Sequence, residues 1–166
     1  MIRSILYATD LGLYAPYVLQ HALALSRAFA ADLHVVHAVE PLGLFAESVL
    51  QTYLDEATLD KMHSQGLKAV MSSIETRVLE GFREELGESQ ADTECIRSVC
   101  VEQGDPPCVV LDQVQRLGVD LLVIGSHSHG AGLETPVGRT AARLIQLCEV
   151  PVYLVPMLQH RSRNDF

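Results

Sequence analysis

LLVIGSHSHGAGLETPVGRT, residues 121–140, is the stretch on which the fold turns. Leu121, Leu122, Val123 and Ile124 form an unbroken apolar run of the kind found in a strand buried on both faces. The run stops at Gly125, and a polar loop carrying Gly125, Gly130 and Gly132 follows. A helical pattern opens near Gly138, with Ala141, Leu144, Ile145 and Cys148 recurring at the spacing of one helix face. Strand, glycine-bearing loop and helix in that order gather several backbone N–H groups and the positive end of a helix dipole at one point. That arrangement suits a phosphate or another anion. The competing reading is a plain βα turn whose glycines supply backbone angles alone.

Upstream, the same alternation recurs. Residues 2–8 (IRSILYA) are β-rich and end at Thr9-Asp10. Residues 15–31 follow as a helix with Val18, Ala22, Leu25 and Phe29 on one face and Pro16 in its first turn. Residues 33–39 (LHVVHAV) make a second strand, closed by Glu40-Pro41. Residues 42–59 carry apolar side chains without clear caps and read as an irregular excursion or short helix. It leads into a long helix from about residue 60 to 86, with Leu67, Val70, Ile74, Val78, Phe82 and Leu86 as its stripe and Gly87 as a stop. Residues 93–102 form a third strand, near an edge.

Gly104-Asp105-Pro106-Pro107 is a turn into a helix, with Asp105 capping and Val110, Val114 and Leu117 facing inward until Gly118. Residues 150–155 (VPVYLV) form a fifth strand in which Pro151 fits only at an edge or a strand start. The order predicts an α/β fold: a single doubly wound, Rossmann-like domain over residues 1–157, with a five-stranded, mostly parallel sheet flanked by four helices. Residues 158–166 are a loose C-terminal tail. Ligands of such sheets lie outside the carboxyl ends of the strands, where the strand order reverses. Loops 8–12, 38–41, 103–106 and 125–138 fall on that rim, so Asp10 is expected beside the glycine loop.

Composition narrows the function. The chain has 166 residues, 48% hydrophobic and 20% charged, as in an ordinary globular domain. A net charge of −9 argues against a general electrostatic grip on nucleic acid. Apolar runs are too short to span a membrane, and the N-terminus is not laid out as a signal peptide, so the expected location is cytoplasmic. Cys95, Cys100, Cys108 and Cys148 form no C-x-x-C pair, which argues against a zinc site and a disulfide framework. His127 and His129 make an H-x-H with His37 on another rim strand, but no cysteine or carboxylate completes it, so no metal site is expected. Ser126 and Ser128 have histidine neighbours without an evident triad, and no catalytic residue is assigned.

Several features together resemble the universal stress protein family over essentially the whole chain. They are the Ala-Thr-Asp after the first strand, His37-Ala38-Val39 after the second, the Gly-Asp-Pro turn at Gly104, Asp120 with LLVIGSH, Gly138, and the closing VPVYLV. In nucleotide-binding members the loop reads glycine, two residues, glycine, nine residues, glycine, then serine or threonine. Gly125 and Gly138 match the first and last glycines, whereas Ser128 and Arg139 replace the second glycine and the hydroxyl residue. The resemblance implies an adenine nucleotide alpha hydrolase-like fold and a stress-response protein binding AMP or ATP, with or without a divalent cation. Ala8, Thr9 and Asp10 would line the ribose and adenine end, and Ala38 would offer backbone hydrogen bonds to the adenine. Gly125, His127, Ser128, Gly138, Arg139 and Thr140 would shape the ribose and phosphate end. It also implies a homodimer through antiparallel pairing of the fifth strand, using Val150, Val152, Tyr153, Leu154 and Val155, and a protein partner of unknown identity. Two alternatives stand beside this. One is a nucleotide-free dimeric interaction module in which Arg139 and Ser128 close the pocket; the other is a weak ATPase using Asp10 and Glu134.

Overall fold

The computed structural model of the chain describes residues 1–41, 43–61, 67–86, 94–127 and 137–156. The elements run β1 (Ser4–Ala8), α1 (Ala15–Phe29), β2 (Asp32–Val39), α2 (Leu44–Tyr53), α3 (Glu56–Lys61) and α4 (Leu67–Leu86). They continue with β3 (Ile96–Gln103), α5 (Pro106–Leu117), β4 (Leu121–Gly125), α6 (Arg139–Leu147) and β5 (Val152–Val155). The strands form one sheet in the order β3-β2-β1-β4-β5, and every neighbouring pair is parallel. The chain starts at the centre, steps outward through β2 to β3, then returns beside β1 with β4. The reversal between β1 and β4 is the topological switch point.

Helices cover both faces because the strands are apolar on both. Ile5, Tyr7, Leu33, Val35 and Val123 pack with α1 and α4 on one side. Leu6, Val36, Leu122 and Ile124 pack with α5 and α6 on the other. Asp120 pins β4 to β1 at the opposite end from the ligand rim. Its Oδ2 accepts the backbone N–H groups of Arg3 at 2.7 Å and Ser4 at 3.1 Å. Those two donors hold the Asp120 carboxyl below its ordinary pKa.

The structure refines several expectations. Four helices were expected and α1, α4, α5 and α6 supply them, while α2 and α3 add two more from the segment read as an excursion. The long helix is described from Leu67, and residues 62–66 and the expected stop at Gly87 lie outside the described residues. α1 buries Ala15, Val18, Leu19, Ala22, Leu23 and Ser26, a stripe turned slightly from the expected one. Phe29, Leu117 and Ile145, expected inward, are exposed by 45%, 39% and 46%, each in the last turn of its helix. Asp105 does occupy the N-cap position of α5, but its side chain makes no capping bond. Its Oδ2 instead accepts from Cys108 Sγ at 3.1 Å and faces Arg143 at 3.5 Å. Gly118 ends α5 in the left-handed region, φ 59°.

Candidate ligand site at the strand rim

Beyond β1 the chain turns sharply, and its own polar side chains build the turn. Thr9 Oγ1 accepts the Leu11 N–H at 3.1 Å, and Asp10 Oδ1 accepts the Gly12 N–H at 2.9 Å. Leu11 takes a left-handed backbone, φ 57°, a conformation costly for a branched side chain and held here by the two flanking bonds. The Gly12 carbonyl then accepts from Ala15 N–H at 3.0 Å at the start of α1.

The ladder determines which backbone groups face the gap that this turn opens. Val36 and its even-numbered neighbours in β2 turn their N–H and C=O toward β1, as the bond from Thr9 N–H to the Val36 carbonyl (2.9 Å) shows. Val39 turns its carbonyl the other way, to Gly104 N–H at 3.0 Å. Ala38 therefore directs its backbone donor and acceptor into the gap beyond Ala8. The Thr9 carbonyl at that edge is met by the His37 ring, Nδ1 to O 2.8 Å.

On the other side, Ser126 joins three elements. Its N–H goes to the Val155 carbonyl at 2.9 Å, and its own carbonyl accepts from Gly138 N–H at 2.8 Å. The two ends of the 125–138 loop are thus tied at their base. Ser126 is buried, and its Oγ lies 3.0 Å from His127 Nδ1. Gly138 is the N-cap of α6, whose first turn carries no acidic residue. The first turn of a helix has N–H groups without intrahelical partners and a positive dipole end. α5 also reaches the rim but opens with Pro106-Pro107, which have no N–H to give, behind the Asp105 carboxylate. Of these two helices α6 is the better placed to meet an anion.

These parts enclose a cavity of about 260 Å³, just under the roughly 300–1,000 Å³ common for small-molecule sites. Of the residues expected at a nucleotide, Ala8, Thr9, Asp10 and Ala38 line one part, and Gly125, His127, Gly138 and Thr140 another. Ser128 lies outside the described residues, as do His129 and Glu134. Arg139 is exposed and is not among the residues lining the cavity. Sequence reasoning missed Tyr7, Tyr17, Val36, Glu40 and Val110 as walls, and it weighed His37 only as a metal ligand. The i, i+3 spacing of Tyr14 and Tyr17 at the start of α1 was the available signal for that wall.

The expected dimer strand also borders the site. Val155 is buried in the chain's own core and lines the cavity, while Val152 and Leu154 pack partly against α5 and α6. Tyr153 leans to the other face, its hydroxyl 3.2 Å from His21 Nδ1. Away from the rim, burial and then Glu102 push the Cys100 thiol up to about 11, which leaves it protonated at neutral pH. Among the described residues no three His, Cys, Asp or Glu side chains are grouped to hold a metal ion. No described helix is long and apolar enough to cross a membrane.

Comparison with known proteins gives a consistent set of matches. The family model described as the universal stress protein family matches residues 1–156. Universal stress protein YxiE of Bacillus subtilis (strain 168) is 24% identical over 156 residues, covering 93% of this chain and 99% of that protein. The solved structure of the protein MJ0577 superposes with a TM-score of 0.71 at 21% identity, covering 96% of this chain and 99% of that one. A universal stress protein crystallised in complex with cAMP superposes with a TM-score of 0.53 at 15% identity, covering 93% and 97%.

Proposed function

The chain belongs to the universal stress protein family, and we propose that it binds an adenine nucleotide, AMP or ATP, at the β1–β4 rim as part of a stress response. The observation that carries this reading is the polarity of the cavity. One end offers the N–H groups of the α6 first turn beside Gly125 and Gly138. The other, at the β1–β2 side, is lined by Ala38 together with the apolar residues Val36 and Val110. A phosphate suits the first end, and a flat base with hydrogen-bonding edges suits the second. The cAMP complex of a family member with this fold supports the same chemistry. Arg139, exposed and outside the lining, favours an open site over a nucleotide-free module that this guanidinium would close. A triphosphate would bring its own divalent cation.

Ligand that binds the native state alone raises the melting temperature. At millimolar AMP or ATP the wild-type protein should melt several degrees higher, and Gly138→Val, which adds a branched side chain between the α6 N–H groups and a phosphate, should remove the rise. An unchanged melting temperature with both nucleotides would refute the reading.

Assembly follows from the edge. β5 pairs with β4 through Pro151, Tyr153 and Val155, as the bonds from Leu122 N–H to the Pro151 carbonyl (3.0 Å) and from Ser126 N–H to the Val155 carbonyl (2.9 Å) require. Val152 and Leu154 then turn their N–H and C=O to the outer edge. An uncovered edge is a pairing template, and we assign it to a second copy of the chain in a homodimer formed by Val150, Val152, Tyr153 and Leu154. The working unit is a cytoplasmic dimer of domains spanning residues 1–157, with residues 158–166 as a tail. Its nucleotide state would alter association with a protein partner.

A further inference from the structure

We propose that Glu75 closes the second edge of the sheet against another copy of the chain, so that association is confined to the β5 edge. The inference concerns α4 and β3 and stands apart from the nucleotide reading. The order β3-β2-β1-β4-β5 leaves two edge strands, and they are built differently. β5 is the short apolar run Val-Tyr-Leu-Val, in unbroken register with β4. β3 is longer, and its ladder with β2 is interrupted. Leu33 pairs with Ile96 and His34 with Ser98, so Arg97, which is exposed, is an extra residue in the edge strand. A bulge that carries a charge is one way in which sheets blunt an edge.

Glu75 supplies a second device. The bond from Gly104 N–H to the Val39 carbonyl, 3.0 Å, fixes which backbone groups of β3 face β2. Val101 and Gln103, at the alternate positions, turn theirs to the outer edge. The Val101 N–H is already taken there, donating to Glu75 Oε1 of α4 at 3.2 Å. Lys68, Met71 and Glu75 of α4 line a groove of about 460 Å³ together with Val101 and Gln103. Space therefore exists beside the edge, and Glu75 borders it. A partner strand would lie about 4.8 Å from β3, and to pair at Val101 it would have to displace the carboxylate. That exchanges a charge-assisted hydrogen bond for an ordinary one, so pairing gains nothing at this position. Without Glu75 the outward N–H is a template, and the β3 edges of two copies can pair about a two-fold axis. Combined with pairing through β5, that second interface leaves no closed end, and the assembly grows.

The test is molar mass by light scattering over a concentration series, on the full chain, for the wild type, Glu75→Ala, Val152→Pro and the double variant. Glu75 is half-buried on a helix, where alanine is the best helix former, and circular dichroism checks the fold. Glu75→Ser, also too short to reach Val101, is read beside it. The wild-type mass should stay constant with concentration, whereas Glu75→Ala should climb to about twice that mass or beyond. The double variant has β5 closed by proline and only β3 left to pair, so it should stop at about twice the mass of Val152→Pro. Folded Glu75→Ala and Glu75→Ser proteins that keep the wild-type mass throughout would overturn the inference. So would a double variant that stays at the mass of Val152→Pro, or one that grows past a pair, which would mark unspecific aggregation. A monomeric wild type beside a Glu75→Ala that pairs would remove the β5 homodimer and support the closure of β3.

Discussion

A Cβ built on Gly104 would stand 2.8 Å from Val109 Cγ2, closer than packed carbons tolerate, and Val109 is a buried branched side chain with little room to move. Gly104→Ala should therefore cost about 1–3 kcal/mol, read as a lower urea midpoint with an unchanged slope. At Gly125 the nearest atom to such a Cβ is Val18 Cγ2 at 3.3 Å, so Gly125→Ala should cost less. The need for glycine at Gly104 was legible only as a turn, because Val109 approaches it through α5 and not through any local pattern. Asp120 gives a pH-dependent case. Its folded pKa is lowered by the Arg3 and Ser4 N–H groups, so its contribution is present at neutral pH. That contribution fades as the pH drops below the ordinary carboxyl value, about 3.9, and through the folded one. Asp120→Asn should lower stability at neutral pH and flatten the acid limb of a melting-temperature profile between about pH 5 and 2.

Elements were legible where periodicity met a clear stop. β4 reads directly from four apolar residues and Gly125, and α5 from Pro-Pro at its start and Gly118 at its end. α2 and α3 were legible only as the short-helix alternative for residues 42–59, since α2 follows Gly43 without a polar cap and α3, though it opens behind Asp55 with Glu56 in its first turn, is too short to show a stripe. The rotation of the α1 stripe escaped for a different reason. Ser26, polar by type, is buried because its hydroxyl donates to the Ala31 carbonyl at 2.6 Å, and a scan for apolar residues passes over it. The edge strand carries its own prediction. Val152 directs its N–H outward, so Val152→Pro removes an edge donor without breaking the β4 pairing. The folded variant should run as a monomer in light scattering where the wild type runs as a dimer. A dimeric Val152→Pro would exclude pairing through this strand.

For the whole molecule, the parallel sheet and its switch point were readable because each strand is followed by a helical segment, and right-handed crossovers leave few ways to arrange them. The cavity was readable only in part. Its backbone contributors lie at strand ends, which the pattern locates, whereas its walls of Tyr17, Val36 and Val110 come from elements far apart in sequence. Ser128 and Arg139 raised the question of whether the site stays open, and the exposed position of Arg139 outside the lining favours an open site. The decisive measurement is the melting temperature of the wild-type protein with and without millimolar AMP or ATP. With ligand at about 100 times its dissociation constant, the stabilisation is about 2.7 kcal/mol and the rise about 5–10 °C for a domain of this size. An increase of that order with one nucleotide or both is the predicted result, and no increase with either would contradict the assignment of the rim cavity to adenine nucleotides.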